Sequence, residues 1–88
     1  MTTNTIANGK IKDVDFDITI EQHNGNSAIY VLKVTRDNGE SWGMSFARLN
    51  DVARFCYACG RALDLYPNED LYNAALCIYT GNESKLLA

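Results

Sequence analysis

Apolar and polar residues alternate through Asp13, Val14, Asp15, Phe16, Asp17, Ile18, Thr19, Ile20 and Glu21. A period of two turns one set toward a core and the other toward water, so the pattern predicts a strand over residues 11–21. The run Gln22–Ser27 that follows is turn chemistry, with Asn24-Gly25 suited to positive φ and His23 beside it. A second strand is predicted over residues 28–36. Tyr30, Leu32 and Val34 form one face, and Ile29, Val31, Lys33 and Thr35 the other. Asp37-Asn38-Gly39-Glu40 signals another turn. A third strand, residues 41–46, puts Trp42, Met44 and Phe46 on one side.

The period then lengthens. Leu49, Val52, Cys56, Cys59 and Leu63 recur at helical spacing, with Ala53 and Gly60 beside them. Asn50 is the expected N-cap of this helix, and Ser45 its rival. The helix should end before Pro67, because the residue preceding a proline is pushed out of the helical region. Asn68 is the expected cap of a second helix over residues 69–80, with Glu69 and Asp70 near the positive end of its dipole and Gly81 as its stop. Its apolar set is Leu71, Ala74, Ala75, Ile78 and Tyr79. The expected fold is α+β: a three-stranded antiparallel β-meander followed by two α-helices packed on one face. Residues 1–9 are expected as a flexible leader, 10–46 as the meander, 47–81 as the helical pair and 82–88 as a tail docking through Leu86 and Leu87, all in one domain.

Length and charge narrow the function. The chain has 88 residues, 8 Lys and Arg against 11 Asp and Glu, and a net charge of −3. That balance argues against a simple phosphate-binding module, which needs clustered cations. A core this small leaves little apolar material for an active-site cleft. No apolar run approaches the ~18 residues of a membrane span, and residues 1–9 lack the order of a secretory signal, so a cytoplasmic protein is expected. An odd cysteine count (Cys56, Cys59, Cys77) fits free thiols in a reducing compartment.

Asp13, Asp15, Asp17 and Glu21 form the first candidate site. Alternate strand residues stand ~6.6 Å apart, close to the spacing of neighbouring phosphates on a nucleic-acid strand. The row is either a solvated face, partly neutralised by Lys12, Lys33 or Arg36, or a contact for a basic partner. Metal binding is a third reading, since Asp-x-Asp-x-Asp is similar to a calcium loop, but Phe16 and Ile18 stand where that loop needs a sharp glycine turn and no glutamate falls at its twelfth position. Cys56-Tyr57-Ala58-Cys59 lies inside the first helix, where buried thiols are the ordinary outcome. A zinc site would have to recruit Cys77 and His23 over long, irregular spacings. No catalytic motif or phosphate-cradling glycine loop occurs, and no cofactor or metal is implied. Arg54, Tyr57, Ala58 and Arg61 are expected to point outward from the first helix or to flank its core stripe; Arg54, Tyr57 and Arg61, with Trp42, form a second candidate contact of the kind enriched at interface hot spots, against the plainer reading of a solvated helix face.

An acidic chain of this size, with a meander over Ile11–Phe46 followed by two helices over Asn50–Thr80, resembles some phage-encoded anti-CRISPR proteins. The resemblance implies a non-catalytic inhibitor whose acidic side chains occupy a DNA-binding surface of a CRISPR effector complex, in the host cell cytoplasm. Asp13, Asp15, Asp17 and Glu21 are then the contact residues, helped by Glu40 or by Glu69 and Asp70, and the partner is a basic, nucleic-acid-binding protein surface. An inhibitor could instead grip protein through Trp42, Arg54, Tyr57 and Arg61. The alternative from another class is a single-stranded nucleic-acid binder that stacks bases on Tyr30 and Trp42, with Lys10, Lys12, Lys33 and Arg36 as its few cations. An exposed edge strand could also pair two copies.

Overall fold

Residues 2–22 and 28–87 are described by the computed structural model, with the side chains of Thr2 and Thr3 left aside. The fold is α+β, and its sheet has four strands: β1 (Thr2–Ile11), β2 (Val14–Gln22), β3 (Ile29–Arg36) and β4 (Ser41–Phe46). They lie in the order β1-β2-β3-β4, each antiparallel to its neighbour. The expected leader is therefore a strand. Its register on β2 runs from Thr2 opposite Gln22 to Ile11 opposite Val14, with an irregularity at Ile6 between Thr5 and Ala7. Every side chain from Asn4 to Ile11 is exposed. An edge strand that buries nothing carries no hydrophobic period, and its order comes from the ladder it shares with β2.

The strand expected over residues 11–21 is also divided. Ile11 closes β1, Lys12 and Asp13 form the turn, and Val14 opens β2. Lys12 takes a φ of 56° there, the left-handed region that side chains ordinarily avoid. The turn expected over residues 22–27 falls largely outside the described residues, as does His23; Gln22 itself ends β2. The Asp37–Glu40 turn forms as expected. Gly39 has a φ of 94°, and the Glu40 amide donates to Asn38 Oδ1 at 2.9 Å.

Cross-strand pairing assigns the sheet's two faces. Phe16–Val34–Trp42, Ile18–Leu32–Met44 and Ile20–Tyr30–Phe46 are rows of one face. On it Val14, Phe16, Leu32, Val34 and Phe46 are buried. The other face carries Asp15, Asp17, Thr19 and Glu21 of β2 with Ile29, Val31, Lys33 and Thr35 of β3.

Two helices follow, α1 (Leu49–Leu65) and α2 (Leu71–Tyr79), and a short 3-10 turn over Glu83–Leu86. The chain divides into two compact units, residues 1–52 and 53–88, with the boundary in the first turn of α1. Neither expected cap starts α1. The Asp51 and Val52 amides donate to the Arg48 carbonyl, Asn50 lies within the first turn, and Ser45 belongs to β4. α1 buries Val52, Phe55, Ala58, Cys59, Ala62 and Leu63, whereas Leu49 and Ala53 are exposed. The inward stripe is thus rotated from the expected one, because it is centred on the bulky Phe55. Asp70, not Asn68, caps α2, its side chain accepting from the Asn73 amide at 3.0 Å. Pro67 and Asn68 are spent on a turn, in which the Glu69 amide donates to the Tyr66 carbonyl. Gly81 ends α2 with a φ of 80°. Its amide donates to Ile78 and that of Asn82 to Cys77, the paired bonds of a Schellman stop.

Candidate functional site

The residues singled out by the sequence fall in both units: Asp13, Asp15, Asp17, Glu21 and Trp42 in the first, Arg54, Tyr57 and Arg61 in the second. Asp15, Asp17 and Glu21 share the outer face of β2, none of them buried. Asp13 leaves this row. It sits in the β1–β2 turn, where its Oδ2 accepts from Arg36 Nη2 at 3.2 Å and Nε at 3.3 Å. Arg36 Nη1 also lies 3.7 Å from Glu40, and the Asp37 amide donates to the Asp13 carbonyl at 3.0 Å. Arg36 retains only 18% of its side-chain exposure. This cluster joins the β1–β2 turn to the β3–β4 turn. Asp13 and Glu40 therefore serve the sheet, whereas both were expected at a partner.

The row that remains is not purely acidic. Lys33 of β3 stands opposite Asp17, and Lys10 of β1 stands opposite Asp15, its ammonium 3.4 Å from Asp37. Directly opposed strand residues have Cβ atoms about 5 Å apart, so these charges act on one another as well as on a partner. The face is a chequer of charges among Thr5, Asn8, Thr19, Thr35, Ser41 and Ser45, and no described residue on it is buried.

That face carries no aromatic side chain among the residues paired on it. Tyr30 and Trp42, expected to stack bases, are half-buried on the opposite face in register with Phe46 and Val34. The sheet thus separates Lys10 and Lys33 from its aromatics, and Arg36, which the register puts on the aromatic face, is engaged by Asp13 and Glu40, whereas a single-strand binder needs available cations and aromatics along one groove. The same separation takes Trp42 away from the carboxylates.

Arg54, Tyr57 and Arg61 do share the outward face of α1, all three exposed and Tyr57 at 70%. The Arg54 guanidinium stacks 4.9 Å above the Tyr79 ring, which meets Phe55 edge-on at 5.2 Å. Ala53, Arg54, Tyr57 and Ala58 of α1, with Ile78 and Tyr79 of α2, line an open and largely apolar groove of about 390 Å³.

Arg61 has an internal role as well. Its Nε and Nη2 donate to the two Glu83 carboxylate oxygens at 3.0 and 3.2 Å, and the Tyr66 hydroxyl donates to Glu83 Oε2 at 2.6 Å. The Arg61 and Tyr66 hydrogen bonds hold the Glu83 carboxyl below its ordinary range, and the bond to Glu83 raises the Tyr66 phenol. Sequence reasoning missed Glu83. It lies in a tail with no hydrophobic period, and only its position two residues after a helix-stopping glycine hints at a docked carboxylate.

The Cys56–Cys59 pair has the opposite of redox chemistry. Burial pushes the Cys59 thiol up to about 12, with a smaller push from Cys56, and burial raises Cys56 too. A reactive thiol needs the reverse shift. All three cysteines are free, and among the described residues no cluster of His, Cys, Asp or Glu is arranged to hold a metal ion. No helix among these residues is long and apolar enough to cross a membrane. Comparison with protein-family models, curated proteins and solved structures finds no match.

Proposed function

We propose that this chain acts by binding another protein, as a non-catalytic inhibitor of a nucleic-acid-binding complex, and that Asp15, Asp17 and Glu21 are its contact with a basic surface. The observation that carries the reading is the open outer face of the sheet. Three carboxylates rise from β2 there, Asp15 and Asp17 set ~6.6 Å apart by strand geometry and Glu21 ~13 Å beyond Asp17, all held by ladders on both sides. The backbone of a paired central strand is already ordered and loses little further entropy on docking, which favours recognition by a patterned surface. Lys10 and Lys33 hold the net charge of this face low. Recognition then rests on matching individual cations, and less on a strong field that would attract any basic protein. The anti-CRISPR resemblance names the specific case: a phage-encoded protein whose acidic strand blocks the DNA site of a CRISPR effector.

The test uses the whole chain, a purified CRISPR effector complex and labelled target DNA. Addition of the chain is expected to suppress DNA binding, more weakly as salt rises. Asp15→Asn with Asp17→Asn is expected to weaken suppression by about tenfold while the thermal midpoint stays put, since exposed charges contribute little to folding. Suppression unchanged by the double substitution removes the carboxylates from the interface. Absence of any binding across effector types removes the CRISPR version.

A further inference from the structure

The outward face of α1 is self-complementary. Successive residues of an α-helix are turned by about 100°. Ala53, Tyr57, Arg61 and Leu65 therefore form one slanting i+4 ridge, and all four are exposed, Leu65 at 51%. Arg54 and Asp64 flank the ridge and are exposed as well. A two-fold axis through this face, midway between Tyr57 and Arg61, relates positions equally distant from the level of residue 59. Tyr57 then meets Arg61 and Arg54 meets Asp64, while Leu65 of one copy falls beside Arg54 of the other. Both matches are favourable: a cation against an aromatic ring, and opposite charges.

We propose that this face is the interface of a homodimer in which two copies of α1 pair antiparallel. The occupant is a second copy because the charges, and the cation and ring at the centre, complement themselves under that one symmetry operation, as an isologous interface requires. The local structure supports it. Ala53 opens the groove beside Tyr57, Ile78 and Tyr79, and its volume of about 390 Å³ accommodates the end of a leucine side chain from the second copy. Both arginines are already ordered, Arg54 over Tyr79 and Arg61 on Glu83. Docking therefore costs them less entropy than free surface arginines. Tyr57, the most exposed aromatic residue of this face, lies next to the axis. The contact uses none of Asp15, Asp17 and Glu21, and none of the substitutions that test it touches them, so its failure is distinguishable from failure of the function proposed above.

Sedimentation of the full chain tests it. A single helix face makes a small interface, so a dissociation constant of about 1–100 µM is expected. Arg54→Asp opposes two carboxylates twice per dimer and Asp64→Arg opposes two guanidiniums twice. Each is expected to weaken self-association by about tenfold or more. An equimolar mixture of the two variants restores both charge pairs and should yield a heterodimer of near wild-type affinity. Tyr57→Arg, placed against Arg61 at the axis, should dissociate the dimer without burying anything new, and it replaces the charge variants if circular dichroism finds either one unfolded. A wild-type chain that stays monomeric to about 1 mM overturns the proposal. So does a dimer indifferent to these substitutions, which would point to pairing of edge strands, and so does a mixture that fails to associate.

Discussion

Raising the pH should destabilise this protein through Cys59, by an amount that its burial fixes. The side chain is fully buried in α1, and its pKa moves from an ordinary 9.0 to about 12, first by desolvation and then by the neighbouring Cys56. The sign follows from linkage. Above the ordinary value the unfolded chain releases the thiol proton while the folded chain keeps it, so stability falls as pH rises between the two values. Going from about pH 8 to about pH 10, this one group should remove about 1.4 kcal/mol of folding free energy. Cys56 and Tyr66 shift in the same direction and add to the total decline. Cys59→Ala isolates the contribution: the variant starts less stable, from the small cavity it leaves, yet should lose about 1.4 kcal/mol less across the same interval. Urea unfolding at both pH values, with wild type and variant side by side under reducing conditions, gives the difference. Parallel declines would show that Cys59 ionises as readily folded as unfolded. Rapid modification of Cys59 by a thiol reagent in the native state would refute its burial directly.

Three other substitutions test separate parts of the structure. Phe55→Ala empties a fully buried site against Tyr79 and should cost about 3–5 kcal/mol, a large fraction of the roughly 4–13 kcal/mol expected for a chain of this length, whereas Phe55→Leu should cost markedly less by the same urea assay. Gly81→Ala forces a side chain into the φ of 80° that ends α2 and should cost about 1 kcal/mol, with Gly81→Asn recovering part of it, both read from thermal midpoints. Glu83→Gln tests the carboxylate shared by Arg61 and Tyr66. A carboxyl held below its ordinary 4.5 stabilises the fold above that pH and loses the effect as pH falls through its lowered value, so the variant should show a shallower loss of stability during acid titration.

What the sequence revealed and what it hid divide along one physical line. β2, β3 and β4 bury alternate side chains, and each left a period of two. α2 buries Leu71, Ala74 and Ala75, and its 3.6-residue spacing was equally plain. β1 buries none of its described side chains and so left no hydrophobic pattern. The same holds for the site. Outward exposure of Arg54, Tyr57 and Arg61 could be inferred from the helical period, but the bonds from Arg61 and Tyr66 to Glu83 span 22 and 17 residues, and no local pattern records them.

The acidic row shows why the hidden strand matters for function. Alternation runs without a break from Asp13 to Glu21, and nothing in it marks the point where the strand begins. The structure sets that point at Val14, because Lys12 turns the chain at a φ of 56°. One residue before the strand, Asp13 becomes a turn residue bound to a half-buried arginine. The residues preceding the turn then run back along β2 and put Lys10 opposite Asp15, just as β3 puts Lys33 opposite Asp17. A row read from the sequence as four carboxylates, partly neutralised by Lys12, Lys33 or Arg36, is three carboxylates with Lys33 and Lys10 set among them by the ladders. A surface of that kind recognises an arrangement of charges. Its binding should therefore be more sensitive to moving a charge, as in exchanging Asp17 with Lys33, than to any change in the protein's net charge. The exchange preserves net charge, and an unaltered affinity for a basic partner would show that the total field governs binding.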